Sequence, residues 1–375
     1  MSDYYIDGTI SSVSGTGSGT LADPWGKDDD LLDFAMNEVS SGVGIGTHGD
    51  AFIVVDGDLT NTGSLDFTGY SLTIPFVLRP LVMDGSQRVG YDAGAVTLHP
   101  STSISGLNFY FLDFTNLPTS GTFLDINGRG TVAGCSFDGA GKTGGTFVNC
   151  GSYTMIVGNH WFNDNRTGSG LLLLASAGCI IQGNFFEGIT ASVYDMYTYS
   201  SALTNNIFTY SSSYSYSVGS VLPIDFGKFV NNTFLGPGCF GASNNGASCL
   251  FVSNAYEGTD IRNNYFEGWN KCVNVASAST SPYLIYASCG NRYFNCGEFY
   301  ETAMPDESVI LNRENEELSS SGLVDIAGGD YRPNNLLINQ GYDPFTMIEA
   351  VQNTLRPTIG ALENNIVVPR VRDIY

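Results

Sequence analysis

The sequence predicts an all-β fold: a single-stranded right-handed parallel β-helix, a solenoid of stacked coils, opened by an N-terminal capping helix. Three observations predict it. A short string recurs through the chain, its spacing matches one solenoid coil, and apolar residues stand at a fixed offset before it. The string is a turn residue, Asn, any residue, then an aromatic. It reads Gly158-Asn159-His160-Trp161, Gly183-Asn184-Phe185-Phe186, Asn205-Asn206-Ile207-Phe208, Asn231-Asn232-Thr233-Phe234, Asn263-Asn264-Tyr265-Phe266 and Gly290-Asn291-Arg292-Tyr293. Looser copies precede these at Gly106-Leu107-Asn108-Phe109 and Gly134-Cys135-Ser136-Phe137.

Anchored on Phe109, Phe137, Phe162, Phe186, Phe208, Phe234, Phe266 and Phe294, the intervals are 28, 25, 24, 22, 26, 32 and 28 residues. At two coils the anchor is Trp161 or Phe162, and Tyr293 or Phe294. Five residues before the anchors stand Ile104, Val132, Val157, Ile181, Leu203, Phe229, Ile261 and Cys289, all apolar. A coil too short to bury its own core must stack on its neighbours, which pairs strands in parallel and aligns apolar residues in columns. Asn tolerates the left-handed corner and its amide can bond the Asn above and below. Asn184, Asn206, Asn232 and Asn264 are therefore expected as corners, with Phe186, Phe208, Phe234 and Phe266 as inward knobs. Eight coils at ~4.8 Å make a rod of about 38 Å. A sandwich or propeller would need hairpin turns, and only Asn127-Gly128 and Asn245-Gly246 supply that dipeptide.

Three segments are expected: 1–48, an N-terminal arm with the capping helix; 49–363, the β-helix; and 364–375, a tail. Residues 28–39 carry Leu32, Ala35, Met36 and Val39 on one helical face behind an acidic triplet suited to a helix N-terminus. Residues 50–55 read as the first full strand. The tail is apolar and basic, with Arg370 and Arg372, where the body is acidic, and is expected to reach over a neighbouring subunit.

Composition narrows the partners. Of 375 residues 42% are hydrophobic and only 14% charged, with 46 Gly, 21 Tyr and 23 Phe, as in a turn-rich all-β chain. A net charge of −22 repels phosphate backbones, so no nucleic-acid partner is expected. The first residues lack a positive and then apolar stretch, so no secretory signal is expected, and no apolar run is long enough to span a bilayer. Eight cysteines without C-x-x-C pairs argue against zinc; they are expected to be reduced, several as small core residues. No metal and no other cofactor is expected.

The opening run Tyr4-Tyr5-Ile6-Asp7-Gly8, Gly15–Thr20, Asp23-Pro24-Trp25 and Gly49–Val54 resembles the start of pectate-lyase-like β-helix proteins. The Gly-Asn-x-Phe and Asn-Asn-x-Phe coils look like their middle. The segments Asp330-Tyr331-Arg332-Pro333, Asn339-Gln340-Gly341 and Arg356–Glu363 look like their close. The resemblance covers roughly residues 4–363 and is closest in character to tailed-phage virion β-helix proteins. It implies fold more than activity, because this scaffold hosts lyases, hydrolases, adhesins and virion proteins.

Glycan cleavage on such a scaffold needs carboxylates on one face, or calcium with a base. The candidate acids are Asp138, Glu187, Asp195 and Glu267; Asp164, Asp225 and Asp260 also lie on or near coils. Asp138, Glu187 and Glu267 each follow a knob, which spaces them by about two and three coil rises, ~10 and ~14 Å. Inverting pairs need ~6.5–9.5 Å, so solvated surface acids are the simpler reading. His48, His99 and His160 show no metal spacing. Arg166, Lys228, Arg262, Lys271 and Arg292 are isolated in sequence. The Tyr/Ser segment offers Tyr194, Tyr197, Tyr199, Tyr210, Tyr214 and Tyr216 as an interface or glycan-binding surface, or simply as an outward β-face. The expectation is a virion structural protein made in host cytoplasm: a head decoration protein or short spike. Its expected partners are itself, as a homotrimer, other virion proteins such as the major capsid protein, and a surface glycan. The alternative is a polysaccharide-degrading or glycan-binding tailspike-type protein, either a lyase or a hydrolase if it is an enzyme.

Overall fold

The structure, a computed structural model, describes residues 3–11, 18–27, 51–60, 76–94, 106–126, 128–166, 171–190, 196–199, 201–212, 221–224, 227–242, 247–252, 259–275, 285–300, 309–313 and 315–338. The chain divides into two compact units, Met1–Tyr197 and Thr198–Tyr375. Each is a parallel β-solenoid whose coils visit three sheets in turn.

In Met1–Tyr197 the first sheet runs Trp25–Lys27, Tyr4–Ser11, Ala51–Asp56, Phe76–Pro80, Leu107–Tyr110, Thr131–Ala133, Met155–Val157, Ile180–Gln182, every pair parallel. The second runs Leu59–Thr60, Val89–Asp92, Leu112–Thr115, Ser136–Asp138, His160–Phe162, Phe185–Ile189. The third joins Leu124–Ile126, Val148–Cys150 and Leu173–Ala175. In Thr198–Tyr375 the first sheet is Ala202–Thr204, Lys228–Val230, Thr259–Arg262, Ile285–Cys289, Val309–Arg313. Its second is Ile207–Tyr210, Thr233–Leu235, Tyr265–Glu267, Arg292–Phe294, Glu316–Glu317. Its third is Val221–Ile224, Ser248–Val252, Lys271–Val275, Glu298–Tyr300. An antiparallel hairpin, Leu323–Asp325 with Asp330–Pro333, follows.

Most strands are only a few residues long, so each places one or two side chains inside, and the coil-to-coil register decides which. In the first unit Tyr91, Phe114, Phe137, Trp161 and Phe186 form one buried column, with ring centroids 5.5, 5.1, 4.7 and 4.5 Å apart. In the second, Phe208, Phe234 and Phe266 stack at 4.8 and 5.2 Å. These spacings bracket the strand separation of ~4.8 Å, so the rings stack because the strands do.

The register corrects three anchors. Trp161 and Tyr293 occupy the knob column, while Phe162 and Phe294, one residue on, face outward by strand alternation. Phe109 belongs to the first sheet, beside Leu78 and Val132, and Phe114 is the knob of that coil. The residues five before the corrected anchors are Phe109, Val132, Ile156 and Ile181 in one unit and Leu203, Phe229, Ile261 and Ser288 in the other, and all are buried. Ile104 and the expected capping helix at 28–39 lie outside the described residues. The N-terminal segment also supplies two strands of the first sheet that the sequence reading treated as an arm.

The corner doublets divide two tasks. The first residue takes the left-handed backbone: Gly158 (φ 63°), Gly183 (64°), Asn205 (56°), Asn231 (55°), Asn263 (54°) and Gly290 (66°). The second builds a buried amide ladder. Asn232 Oδ1 accepts from the Asn206 N–H (3.0 Å) and Nδ2 (2.9 Å). Asn232 Nδ2 donates to Leu203 O (2.9 Å) and to Asn264 Oδ1 (3.0 Å). The pattern continues from Asn264 to Asn291 and from Asn291 to Asn315. The first unit repeats it: Asn159 donates to Asn184 Oδ1 (3.0 Å), and the Cys135 N–H to Asn159 Oδ1 (2.9 Å).

None of the eight cysteines is in a disulfide, and six of them are buried. Burial pushes the Cys135 thiol up to about 12 and holds Cys150 and Cys272 well above the ordinary thiol value. These thiols serve as core residues.

Replacing Asn232 by Ala orphans buried donors and acceptors on both neighbouring coils. At ~1–3 kcal/mol for each group left unpaired, the expected loss is about 3–5 kcal/mol in urea unfolding. Asn205→Gly, at a left-handed corner whose own Oδ1 has no hydrogen-bond partner, is expected to change stability by less than about 1 kcal/mol. Equal losses from the two would show that the ladder contributes no more than the turn.

Candidate functional site

Among the described residues, a solvent-facing group of chemically able side chains lies on the outer face of the second sheet in Met1–Tyr197. Register places Asp113, Ser136, His160 and Phe185 in one outward column, and Asp92, Thr115, Asp138 and Phe162 in the next. His160 Nε2 lies 2.8 Å from Glu187 Oε2, with the two side chains 19% and 47% exposed. The imidazole stacks on Phe185 (5.0 Å, 3°) and tilts against Phe162 (5.0 Å, 31°). Beside it Arg88 forks onto Asp113, with Nε at 2.9 and 3.0 Å from the two carboxylate oxygens and Nη2 at 2.5 Å from one.

This face orders an acid, a base and a hydroxyl, yet does not assemble them into a relay. Ser136 is the register partner of His160, but its hydroxyl donates to Asp113 Oδ1 at 2.6 Å. No hydrogen bond links Ser136 to the imidazole among those described. Asp138 accepts from the Ala140 N–H (3.0 Å) and Asn163 Nδ2 (3.1 Å), which ties down the corner after its strand. One strand, His160–Phe162, separates Asp138 from Glu187, or about 10 Å, wider than an inverting pair.

Glu267 is elsewhere and buried, in the second unit. The segment after residue 318 folds over the outer face of that unit's second sheet, with Leu323 and Leu337 packed on Leu235 and Tyr265. Beneath it Glu267 accepts hydrogen bonds from the Tyr265 hydroxyl and from Ser321 Oγ (2.8 Å), and the Tyr265 hydroxyl accepts from the Gly322 N–H (2.7 Å). The reading of Glu267 as an accessible acid is corrected: it anchors a closing segment. Desolvation raises its pKa.

Among the tyrosines, Tyr210 is also corrected. It is fully buried, edge-on to Trp269 at 4.8 Å, and so is not part of an exposed interface. Tyr199 is 38% exposed. Tyr197 lies in the strand Met196–Tyr199. Asp195, Tyr194, Tyr214 and Tyr216 lie outside the described residues, as does the tail.

Three Asp-x-Arg ion pairs among the described residues are not among the sequence expectations. Arg166 binds Asp164 through Nε and Nη2, both at 2.8 Å, and Arg262 binds Asp260 in the same manner. Arg332 binds Asp330 at 2.8 and 2.6 Å. The spacing Asp-x-Arg was the available signal: Asp260/Arg262 and Asp330/Arg332 share a strand face, while Asp164 and Arg166 lie after the strand His160–Phe162, where the Arg166 N–H also donates to Asp164 Oδ1 (3.2 Å). Lys142 had no such signal. It is fully buried, its Nζ donating to Pro118 O (3.3 Å) and Gly121 O (2.9 Å). Burial, then the nearby Arg166 charge, lowers its pKa to about 8. Both cations lie over the Phe147 ring, at 5.5 and 5.6 Å.

No group of three His, Cys, Asp or Glu able to hold a metal occurs among the described residues. Comparison with protein-family models, with curated proteins and with solved structures returned no match.

The raised Glu267 pKa fixes a sign. The folded state favours the protonated carboxyl, so this group's contribution is greatest below its unfolded value near 4.5 and is lost as pH rises through the raised value. Urea unfolding between about pH 4 and about pH 8 should show stability falling with pH on this account. Glu267→Gln should flatten that part of the slope; an unchanged slope would assign it to other groups.

Proposed function

We propose that this chain is a structural protein of a tailed-phage particle, a head decoration protein or a short spike, built as a right-handed pectate-lyase-like β-helix with an N-terminal capping helix. The right hand follows the general rule for parallel crossovers. The observation that carries the reading is how the acids are used. Asp138, Asp164, Asp260 and Glu267 are each committed to a corner, an arginine or the closing segment. These acids are thus spent on contacts within the fold, which suits a rigid scaffold. The resemblance of the coil motif to phage β-helix proteins supplies the setting, with the particle's capsid protein and further copies of the chain as partners. Mass spectrometry of purified particles is expected to find the chain at a fixed stoichiometry to the capsid protein. Particles lacking it would overturn the assignment.

A second reading is favoured by one feature, the aromatic strip Phe162–His160–Phe185 with Glu187 and Asp138 beside it. Rings with an apolar face, next to carboxylates that accept hydroxyl hydrogen bonds, suit a sugar surface. In this reading the chain binds a host glycan on the outer second sheet. Binding across a glycan array should fall by about tenfold or more in Phe185→Ala if it uses this strip. Binding unaffected by that change, or absent in the unaltered protein, would remove the reading.

A further inference from the structure

The segment after residue 318 is built separately from the coils it covers. Among the described residues its two strands, Leu323–Asp325 and Asp330–Pro333, pair with each other and with no coil. The N–H groups of Asn334, Leu337 and Ile338 also bond within the segment. It rests on outward side chains. Leu235, Tyr265 and Glu267 point away from the knobs Phe234 and Phe266 by strand alternation. Leu235 and Tyr265 are nevertheless fully buried, because Leu323 and Leu337 lie over them. The fit is close: a Cβ on Gly322 would meet Leu337 at 2.7 Å and the Tyr265 ring at 3.0 Å.

One polar knot ties the segment down. Glu267 accepts from the Tyr265 hydroxyl and from Ser321 Oγ, the Gly322 N–H donates to the Tyr265 hydroxyl, and Asn334 Nδ2 donates to Ser321 O (2.8 Å). None of these bonds belongs to the asparagine ladder. The titratable groups facing Glu267 are the Tyr265 hydroxyl on its own strand and the Cys239 thiol from the turn after Thr233–Leu235. That thiol is bonded to the Glu267 carbonyl oxygen at 3.2 Å. The next strand offers Phe294, with Arg292 turned to Glu316 (3.3 Å). Within the segment Asp330 holds Arg332, and Asp325 accepts from the Gly328 N–H.

A carboxyl beneath an apolar cover is stable while neutral, and its ionised form seeks water. Water reaches Glu267 by lifting the segment, since the knobs and the ladder lie on the other side of the strand. The matching acid of the first unit, Glu187, shows that the coil itself does not require burial there, for it is 47% exposed. We infer that residues 318–338 form a strap that lifts as a unit when Glu267 ionises, leaving the coils wound and uncovering Leu235, Tyr265 and Phe294. This conformational device does not depend on the virion assignment.

The test is hydrogen exchange read by mass spectrometry on the full-length protein, between about pH 4 and about pH 8. After correction for the intrinsic pH dependence of amide exchange, opening of peptides within 318–338 is expected to rise with pH, by up to about tenfold per pH unit. Peptides carrying Asn232 and Asn264 should exchange far more slowly at every pH. Glu267→Gln keeps an acceptor for Tyr265 and Ser321 but cannot ionise, so it should hold the strap at its acid-side rate throughout. Gly322→Val, whose side chain would strike Leu337 and Tyr265, should open the strap at every pH while the coil peptides stay protected. Strap peptides that exchange in step with the ladder peptides, in the unaltered protein and in Gly322→Val, would overturn a separate strap. An opening with no pH dependence, or one whose pH dependence survives in Glu267→Gln, would overturn Glu267 as its latch.

Discussion

The structure depends on one repeated constraint, the register of each coil against the next, and the buried asparagine amide enforces it. A parallel strand of three residues has few backbone hydrogen bonds with which to resist slipping, and a slip by one residue would turn its knob outward. The amide removes that freedom. Its carbonyl accepts from the corner of the preceding coil and its NH₂ donates to the amide of the next, so a slipped coil would leave buried polar atoms unpaired. The ring columns then follow, because stacked strands place their rings at the strand spacing. Specificity resides in the polar ladder, and most of the burial resides in the columns it aligns.

This explains what the sequence made legible. The motif was visible because the left-handed corner and the ladder position are adjacent in sequence and each admits few residue types. Asn205-Asn206 and Gly183-Asn184 are the same device with a different first residue. The knob was legible only to within one position, since Trp161-Phe162 and Tyr293-Phe294 offer two aromatics and composition does not say which faces in. In the earlier coils the corner lacks asparagine: Phe111 stands where Gly or Asn would be, and Leu112 where the ladder would begin. The Gly-x-x-Phe string of that coil therefore falls on Phe109, five residues before its knob Phe114.

The candidate site was less legible for a different reason. Outward positions obey no column rule, so their neighbours are set by coils about 25 residues away and by segments that fold across them. Glu267 follows its knob as Glu187 does, and nothing local separates them. One is buried because the chain after residue 318 lies over it, and the other keeps a solvent-facing imidazole partner. Tyr210 sits in a Tyr/Ser segment typical of surfaces, yet it closes on Trp269, a residue of a different coil. Two of the Asp-x-Arg pairs, Asp260–Arg262 and Asp330–Arg332, were readable in principle, because strand alternation alone brings their side chains together.

A solenoid separates two kinds of selection. Inward residues must satisfy the coil above and below at once, so they are confined to amides, rings and aliphatics of fitting size. Outward residues answer only to solvent and to partners. In this chain the outward faces are not used alike: the second sheet gathers carboxylates with the His160 aromatic strip, while among the described residues the first sheet of the same unit carries acids only at Asp7 and Asp56, on its N-terminal strands. Folding does not require that asymmetry, since an outward acid on the first sheet would disturb no interior column. Outward positions are therefore where this chain can change its surface without changing its fold.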